Sequence, residues 1–244
     1  MQGCSAKRTE KLELYAVQYG TSTFAPNFVF YKTKMKKPVP FAWLFYVVKY
    51  KNRVILFDTG FQREKLRKIF KVTLTKPLEL LKKMGISPEM VTDVVLTHRH
   101  FDHGENAFYF KNAQIYVHKK EFQRMKREGR PGKTLRFLKN HKKLTLMKDK
   151  EKLFNKFILQ KWGSHSTASM TISFSHSSKK YLLAGDEVYL KKNIHENIPS
   201  GSAINIKKNR AFIKWVKSQK NLIIYTFHEP GIVPGGNGVH QLIK

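Results

Sequence analysis

Eight residues constrain this chain more than any others. Thr97-His98-Arg99-His100-Phe101-Asp102-His103-Gly104 follows the apolar, β-branched run Val94-Val95-Leu96. Imidazole nitrogens and a carboxylate are the donors that borderline divalent metals prefer, zinc foremost. On a straight strand, His98 and His100 share one face and His103 points to the other. A loop just past a strand can curl Asp102 and His103 back onto a second, adjacent metal. A solvated histidine-rich turn is the alternative, and three histidines with an aspartate in six positions argue against it.

The surrounding pattern is rich in strands. Apolar, β-branched and aromatic runs recur at 12–17, 28–31, 41–48, 54–57, 94–96 and 115–117, and again at 157–159, 170–174, 181–183 and 222–227. The short Lys51-Asn52 turn makes antiparallel hairpins of the first of them. Helical spacing appears at 76–84, 121–128, 134–143 and 209–220. This is an α/β or α+β chain, with helices outside a sheet-on-sheet core. Its 244 residues can bury a core without staples, and the single cysteine, Cys4, excludes a disulfide framework. Met1–Glu13 has no signal-peptide-like stretch, and no run of about 18 apolar residues exists. The expectation is a cytoplasmic protein without a membrane span.

The motif resembles that of the metallo-β-lactamase-fold hydrolases, and more of the chain matches in order. Val54–Gly60 resembles the family's strand followed by Asp-Thr-Gly. Gly163-Ser164-His165-Ser166-Thr167 resembles its Gly-His-Ser/Thr loop, Leu182–Asp186 its strand ending in Gly-Asp, and Ile223–His228 its last strand ending in His. The resemblance covers about residues 12–230. It implies a four-layer αβ/βα sandwich of two mixed sheets with outer helices. It also implies one domain over 1–244, with similar halves near 12–125 and 126–235. Carried over, His98, His100 and His165 hold one metal, and Asp102, His103 and His228 hold a second. Asp186 bridges the two. Asp58 is expected to orient a ligand histidine rather than to bind metal. Two divalent ions are implied, zinc by default, with a bridging hydroxide as nucleophile and Asp102 handing a proton to the leaving group. His118, His141, His176, His195 and His240 lie outside any motif.

Asp186-Glu187-Val188-Tyr189 is similar to the Asp-x-x-Tyr of the N-acyl-homoserine lactonases, as is Phe101 before Asp102. That resemblance gives Tyr189 a hydroxyl to donate to a substrate carbonyl. The chain departs from the family after His165, where Ser166-Thr167-Ala168-Ser169 lacks the usual Pro, Gly and second His. Phe28, Phe41, Trp43, Phe45, Phe101 and Phe108 are candidates for an acyl pocket, although strand core is the commoner role for such residues.

The expected reaction is the metal-dependent opening of an ester-type bond in a small molecule, a lactone first. A phosphodiesterase or nuclease, or a glyoxalase II-like thioesterase, uses the same site. The tail after Gly235 holds one lysine, too few for a glutathione-binding cluster, and 244 residues leave little room for a nuclease's cap domain. The formal charge of +30 keeps nucleic acid as a lesser partner and would draw an anionic substrate. Lysines outnumber arginines 37 to 10, which favours a solvated surface over phosphate-reading forks. Residues 119–161 carry net +12, about three times the density of the rest, and are expected in the helical layer near the site mouth.

Overall fold

The structure, a computed structural model, describes residues 11–244. Cys4 and the Met1–Glu10 part of the N-terminal stretch lie outside the described residues. The chain runs β1 (Leu12–Phe24), α1 (Pro26–Val29), β2 (Val39–Tyr50), β3 (Arg53–Phe57), α2 (Glu64–Ile69), β4 (Thr73–Leu74) and α3 (Pro77–Lys83). It continues with β5 (Asp93–Leu96), α4 (Phe101–Gly104), β6 (Gln114–His118), α5 (Lys119–Glu128), α6 (Gly132–Asn140) and β7 (Leu144–Met147). The second sheet's strands follow: β8 (Lys150–Leu153), β9 (Phe157–Lys161), β10 (Met170–His176) and β11 (Lys179–Leu183). Last come α7 (Lys191–His195), α8 (Ile206–Ser218), β12 (Leu222–Tyr225) and β13 (Gly238–Ile243).

Both sheets are mixed. The first has the order β13-β1-β2-β3-β5-β6-β7, with β4 on β1, and is parallel from β3 to β7. The second has the order β12-β11-β10-β9-β8, and only β11 and β12 are parallel. Three apolar clusters fill the spaces between layers. Leu14, Leu44, Tyr46 and Val95 of the first sheet meet Leu159, Ile172 and Leu183 of the second. Phe45, Leu56, Val94 and Ile115 point the other way, onto Leu80, Met125 and Leu138 of the first sheet's helices. Leu182 and Ala184 turn outward onto Phe212, Ile213 and Val216 of α8. Neighbours such as Val94 and Val95, or Leu182 and Leu183, serve opposite faces because side chains alternate along a strand. Two sheets that each bury both faces give helix, sheet, sheet and helix: the αβ/βα sandwich.

Strand direction sets the site. β3 and β5 run parallel and end at Phe57 and Leu96, beside Asp58 and His98. In the second sheet β9, β11 and β12 share one direction, since β10 is antiparallel to both of its neighbours. Their ends precede His165, Asp186 and His228. Carboxyl ends of strands are where open sheets leave room for a ligand.

Three expectations change. Phe28–Tyr31 is not a strand: Pro26 starts the short α1, and Phe28 lies within it. The helix expected over 134–143 ends at Asn140, where His141 turns its Nε2 to the Ala113 carbonyl at 2.8 Å. Only the first half of the basic 119–161 segment is helical, and 144–161 forms β7, β8 and β9.

Candidate metal centre

The motif loop bends after Leu96, is extended at His100, and then makes one helical turn, α4, in which Gly104 N–H bonds the His100 carbonyl at 3.1 Å. That turn swings Asp102 and His103 to a different side from the first two histidines. Two groups of donor atoms result. His98, His100 and His165 form one, and Asp102, His103, Asp186 and His228 form the other. In the first, His100 Nδ1 is 2.9 Å from both His98 Nε2 and His165 Nε2. In the second, His103 Nε2 is 3.2 Å and His228 Nε2 3.1 Å from Asp186 Oδ1. Asp102 Oδ2 is 3.3 Å from His103 Nε2 and 3.7 Å from His228 Nε2. The other Asp186 oxygen, Oδ2, faces the first group, 3.3 Å from His165 Nε2 and 3.8 Å from His98 Nε2. Asp186 thus offers one oxygen to each group.

The outer ring atoms are fixed. His103 Nδ1 sits 2.6 Å from Asp58 Oδ2, and His228 Nδ1 donates to the Ala42 carbonyl at 2.9 Å. Asp58 is itself held by Thr97, whose N–H and Oγ1 donate to its carboxylate at 2.7 and 2.8 Å. It occupies a left-handed backbone, φ +67°, unusual for a non-glycine residue. Gly185, φ +55°, precedes Asp186, and a Cβ there would lie 2.8 Å from the Met170 carbonyl oxygen. This turn needs a glycine.

The donor set fits a divalent cation. With Nδ1–H of His228 spent on the Ala42 carbonyl, its Nε2 lone pair aims at the Asp186 carboxylate. His103 Nε2, His228 Nε2 and Asp186 Oδ1 are buried and without a hydrogen-bond partner. Lone pairs facing lone pairs at about 3 Å repel unless a cation lies between them. Donors around a tetrahedral zinc are separated by about 3.4 Å, given bonds of about 2.0–2.1 Å, and the spacings here bracket that value.

Electrostatics divide the groups. Burial pushes His98 and His100 down and His165 to about 3, so the first group is neutral near pH 7. Burial also opposes charge on His103, but Asp186, Asp102 and Asp58 outweigh it and hold His103 well above the usual imidazole range. Asp186 is buried too, yet His103, His228 and His165 hold it well below the usual carboxylate range.

Both groups border a cavity of about 310 Å³ whose far walls include Phe24, Phe41, Trp43, Phe70 and Phe101. Of the six aromatic candidates, Phe28, Phe41, Trp43 and Phe101 line it. Phe45 instead packs in the outer core, and Phe108 lines a separate cleft beside Lys133. Tyr189 is buried at the cavity wall, with ring centroids 5.7 Å from His165 and 5.2 Å from His228. Ser202 Oγ donates to the Tyr189 hydroxyl at 2.6 Å and lies 3.4 Å from His165 Nδ1.

Sequence reasoning missed three supports. Glu121 of α5, wholly buried, accepts from Arg99 N at 3.1 Å and Ser166 Oγ at 2.9 Å, tying the motif loop to the His165 loop. Glu187 accepts from the Ser164 and Ser169 hydroxyls, and burial raises its pKa to about 7. Ser202 is the third. Glu121 and Glu187 fasten the loop that lacks the family's Pro and Gly.

Known proteins match the chain in sequence and in fold. A family model described as the metallo-beta-lactamase superfamily matches residues 42–226. A probable metallo-hydrolase of Methanocaldococcus jannaschii is 32% identical over 154 residues, 63% of this chain, and the chain spans 64% of that relative's length. The solved structure of a quorum-quenching N-acyl homoserine lactone lactonase superposes with a TM-score of 0.79 at 21% identity, covering 92% of this chain and 95% of that one. An N-acyl homoserine lactone hydrolase with N-hexanoyl-L-homoserine bound at its catalytic metal centre gives 0.78 at 20%, over 91% and 94%. At these identities the likeness to the solved structures is one of fold.

Proposed function

This chain belongs to the metallo-beta-lactamase superfamily, and on that premise we propose that it is a dinuclear metal-dependent hydrolase that opens a lactone bearing an acyl tail, such as an N-acyl-homoserine lactone. The observation that carries the reading is Asp186, one oxygen on each donor group, beside a cavity walled by aromatic rings. His98, His100 and His165 would hold one ion, Asp102, His103 and His228 the other, with Asp186 shared. Zinc suits this mixture of nitrogen and carboxylate donors. Bound metals supply a water acidic enough to attack at neutral pH and polarise the ester carbonyl.

The chain's own residues do the rest. Asp58 keeps the His103 proton on Nδ1 and leaves Nε2 free to bind. Ser202 donates to the Tyr189 oxygen, which leaves the Tyr189 proton free to reach a substrate oxygen in the cavity. Asp102, at the cavity wall, would carry a proton to the leaving alkoxide. Phe24, Phe28, Phe41 and Phe70 exclude water and suit an acyl chain.

The test is a hydrolysis panel on metal-loaded protein: acyl lactone, thioester, phosphodiester and β-lactam. Metal-dependent turnover of the acyl lactone above the others is expected. Turnover of the phosphodiester alone would move the assignment to phosphodiesterase, the reading that the net charge favours.

A further inference from the structure

The charge of +30 finds no use in lactone opening, and part of it borders the cavity mouth. Three segments border that mouth. Phe28 and Ile204 line the cavity and are 37% and 67% exposed, so apolar surface spills outward from it. Ile69, 59% exposed, ends α2 immediately before Phe70, another lining residue. Met35, also exposed, follows Phe28 on the connection from α1 to β2. Four of the seven large apolar side chains exposed among the described residues therefore lie on these segments.

Lysines flank each one. Lys32, Lys34, Lys36 and Lys37 surround Met35, all exposed. Lys65, Lys68 and Lys71 surround Ile69, and Lys207 and Lys208 follow Ile204. Across residues 26–38, 64–71 and 202–210 there are eleven basic residues and one acid. That acid, Glu64, is held by Arg67 at 2.6 Å.

We infer that this face docks on an anionic lipid bilayer, with Ile69, Met35 and Ile204 entering the headgroup region and the lysines resting on the phosphates. The proposal rests on the acyl-lactone reading and deepens it: the substrate would be an amphiphile taken up from the membrane surface. Apolar tips ringed by flexible ammonium groups match an interface that is apolar within and anionic outside. Lysine suits diffuse lipid charge, whereas nucleic-acid readers favour the arginine fork. No helix of the described residues is long and apolar enough to cross a membrane, so the attachment is peripheral.

Co-sedimentation of the whole, metal-loaded protein with vesicles tests this without reference to turnover. Binding to phosphatidylglycerol-containing vesicles, weakened by salt, and none to pure phosphatidylcholine are expected. Ile69→Glu, and the pair Lys34→Glu with Lys36→Glu, should each lower partitioning by about tenfold. The pair Lys150→Glu with Lys152→Glu on β8 makes the same charge change elsewhere and should leave it within about twofold. Failure to bind anionic vesicles, or an equal loss in the β8 pair, overturns the proposal. So does a result in which the mouth substitutions abolish oligonucleotide binding while vesicles are ignored. Lactone turnover without vesicle binding defeats this inference alone, and vesicle binding without lactone turnover defeats only the function proposed above.

Discussion

The two donor groups share a carboxylate but are built on opposite electrostatic plans. His98, His100 and His165 are three neutral imidazoles packed edge to face, with no carboxylate of their own. Asp102, His103, Asp186 and His228 concentrate charge, and Asp58 braces one histidine from behind. Without metal, the first group tolerates close nitrogens because burial keeps them uncharged. The second tolerates buried carboxylates because His103 takes a proton among them. The same loop thus presents one half-site ready for a cation and one that must release a proton first.

The largest expected effect comes from removing what the halves share. Asp186→Ala should cost about a thousandfold or more in turnover, since it strips an anionic donor from both groups. Metal analysis should find occupancy reduced at both; loss at one group alone would show that Asp186 does not bridge. Next is the brace. Asp58→Ala should weaken metal binding in the second group by about 10–100-fold and spare the first. Equal weakening of both, read by competitive chelation, would erase the distinction.

A third effect is in pH. His103 in the metal-free fold is raised above 6.5, so near neutrality it is protonated and must lose that proton to bind. Affinity of the second group should therefore rise with pH, by about tenfold per unit below that raised pKa. His165, lowered to about 3, is already neutral, so the first group should be nearly flat from pH 7 down to mild acid. Calorimetry in buffers of different ionisation heat would count the protons; release accompanying both ions would contradict the contrast.

The smallest effects concern the cavity wall. Tyr189→Phe should lower kcat about tenfold with metal content unchanged, the worth of one hydrogen bond to a developing charge. Ser202→Ala should give a fraction of that loss in the same direction. Metal loss in either variant would reassign Tyr189 and Ser202 to holding His165 rather than substrate.

Much of this was legible in the sequence because the site is written in local spacing. The HxHxDH run stands out by itself, and Asp58, His165, Asp186 and His228 follow from the resemblance of their motif order to the metallo-β-lactamase family. What escaped depends on contacts far apart in the chain. Glu121 sits among lysines in α5 and looks like one more surface charge, yet it bonds residues 45 and 47 positions away. Ser202 has no motif, and only folding sets it between Tyr189 and His165. Phe28–Tyr31 misled because aromatic content argues for strand, while Pro26-Asn27 carries the stronger signal of a helix start. β8, Lys150–Leu153, is an edge strand rich in lysine, and charge of that kind conceals a strand while protecting its free edge.

The central claim is a two-metal site that opens acyl lactones, and one titration addresses it. Metal-free protein is titrated with zinc while ring opening of an N-acyl-homoserine lactone is followed by the acid it liberates. The account predicts turnover that climbs to a plateau at two equivalents per chain. A plateau at one equivalent would contradict the paired site, and no turnover at any loading would contradict the function.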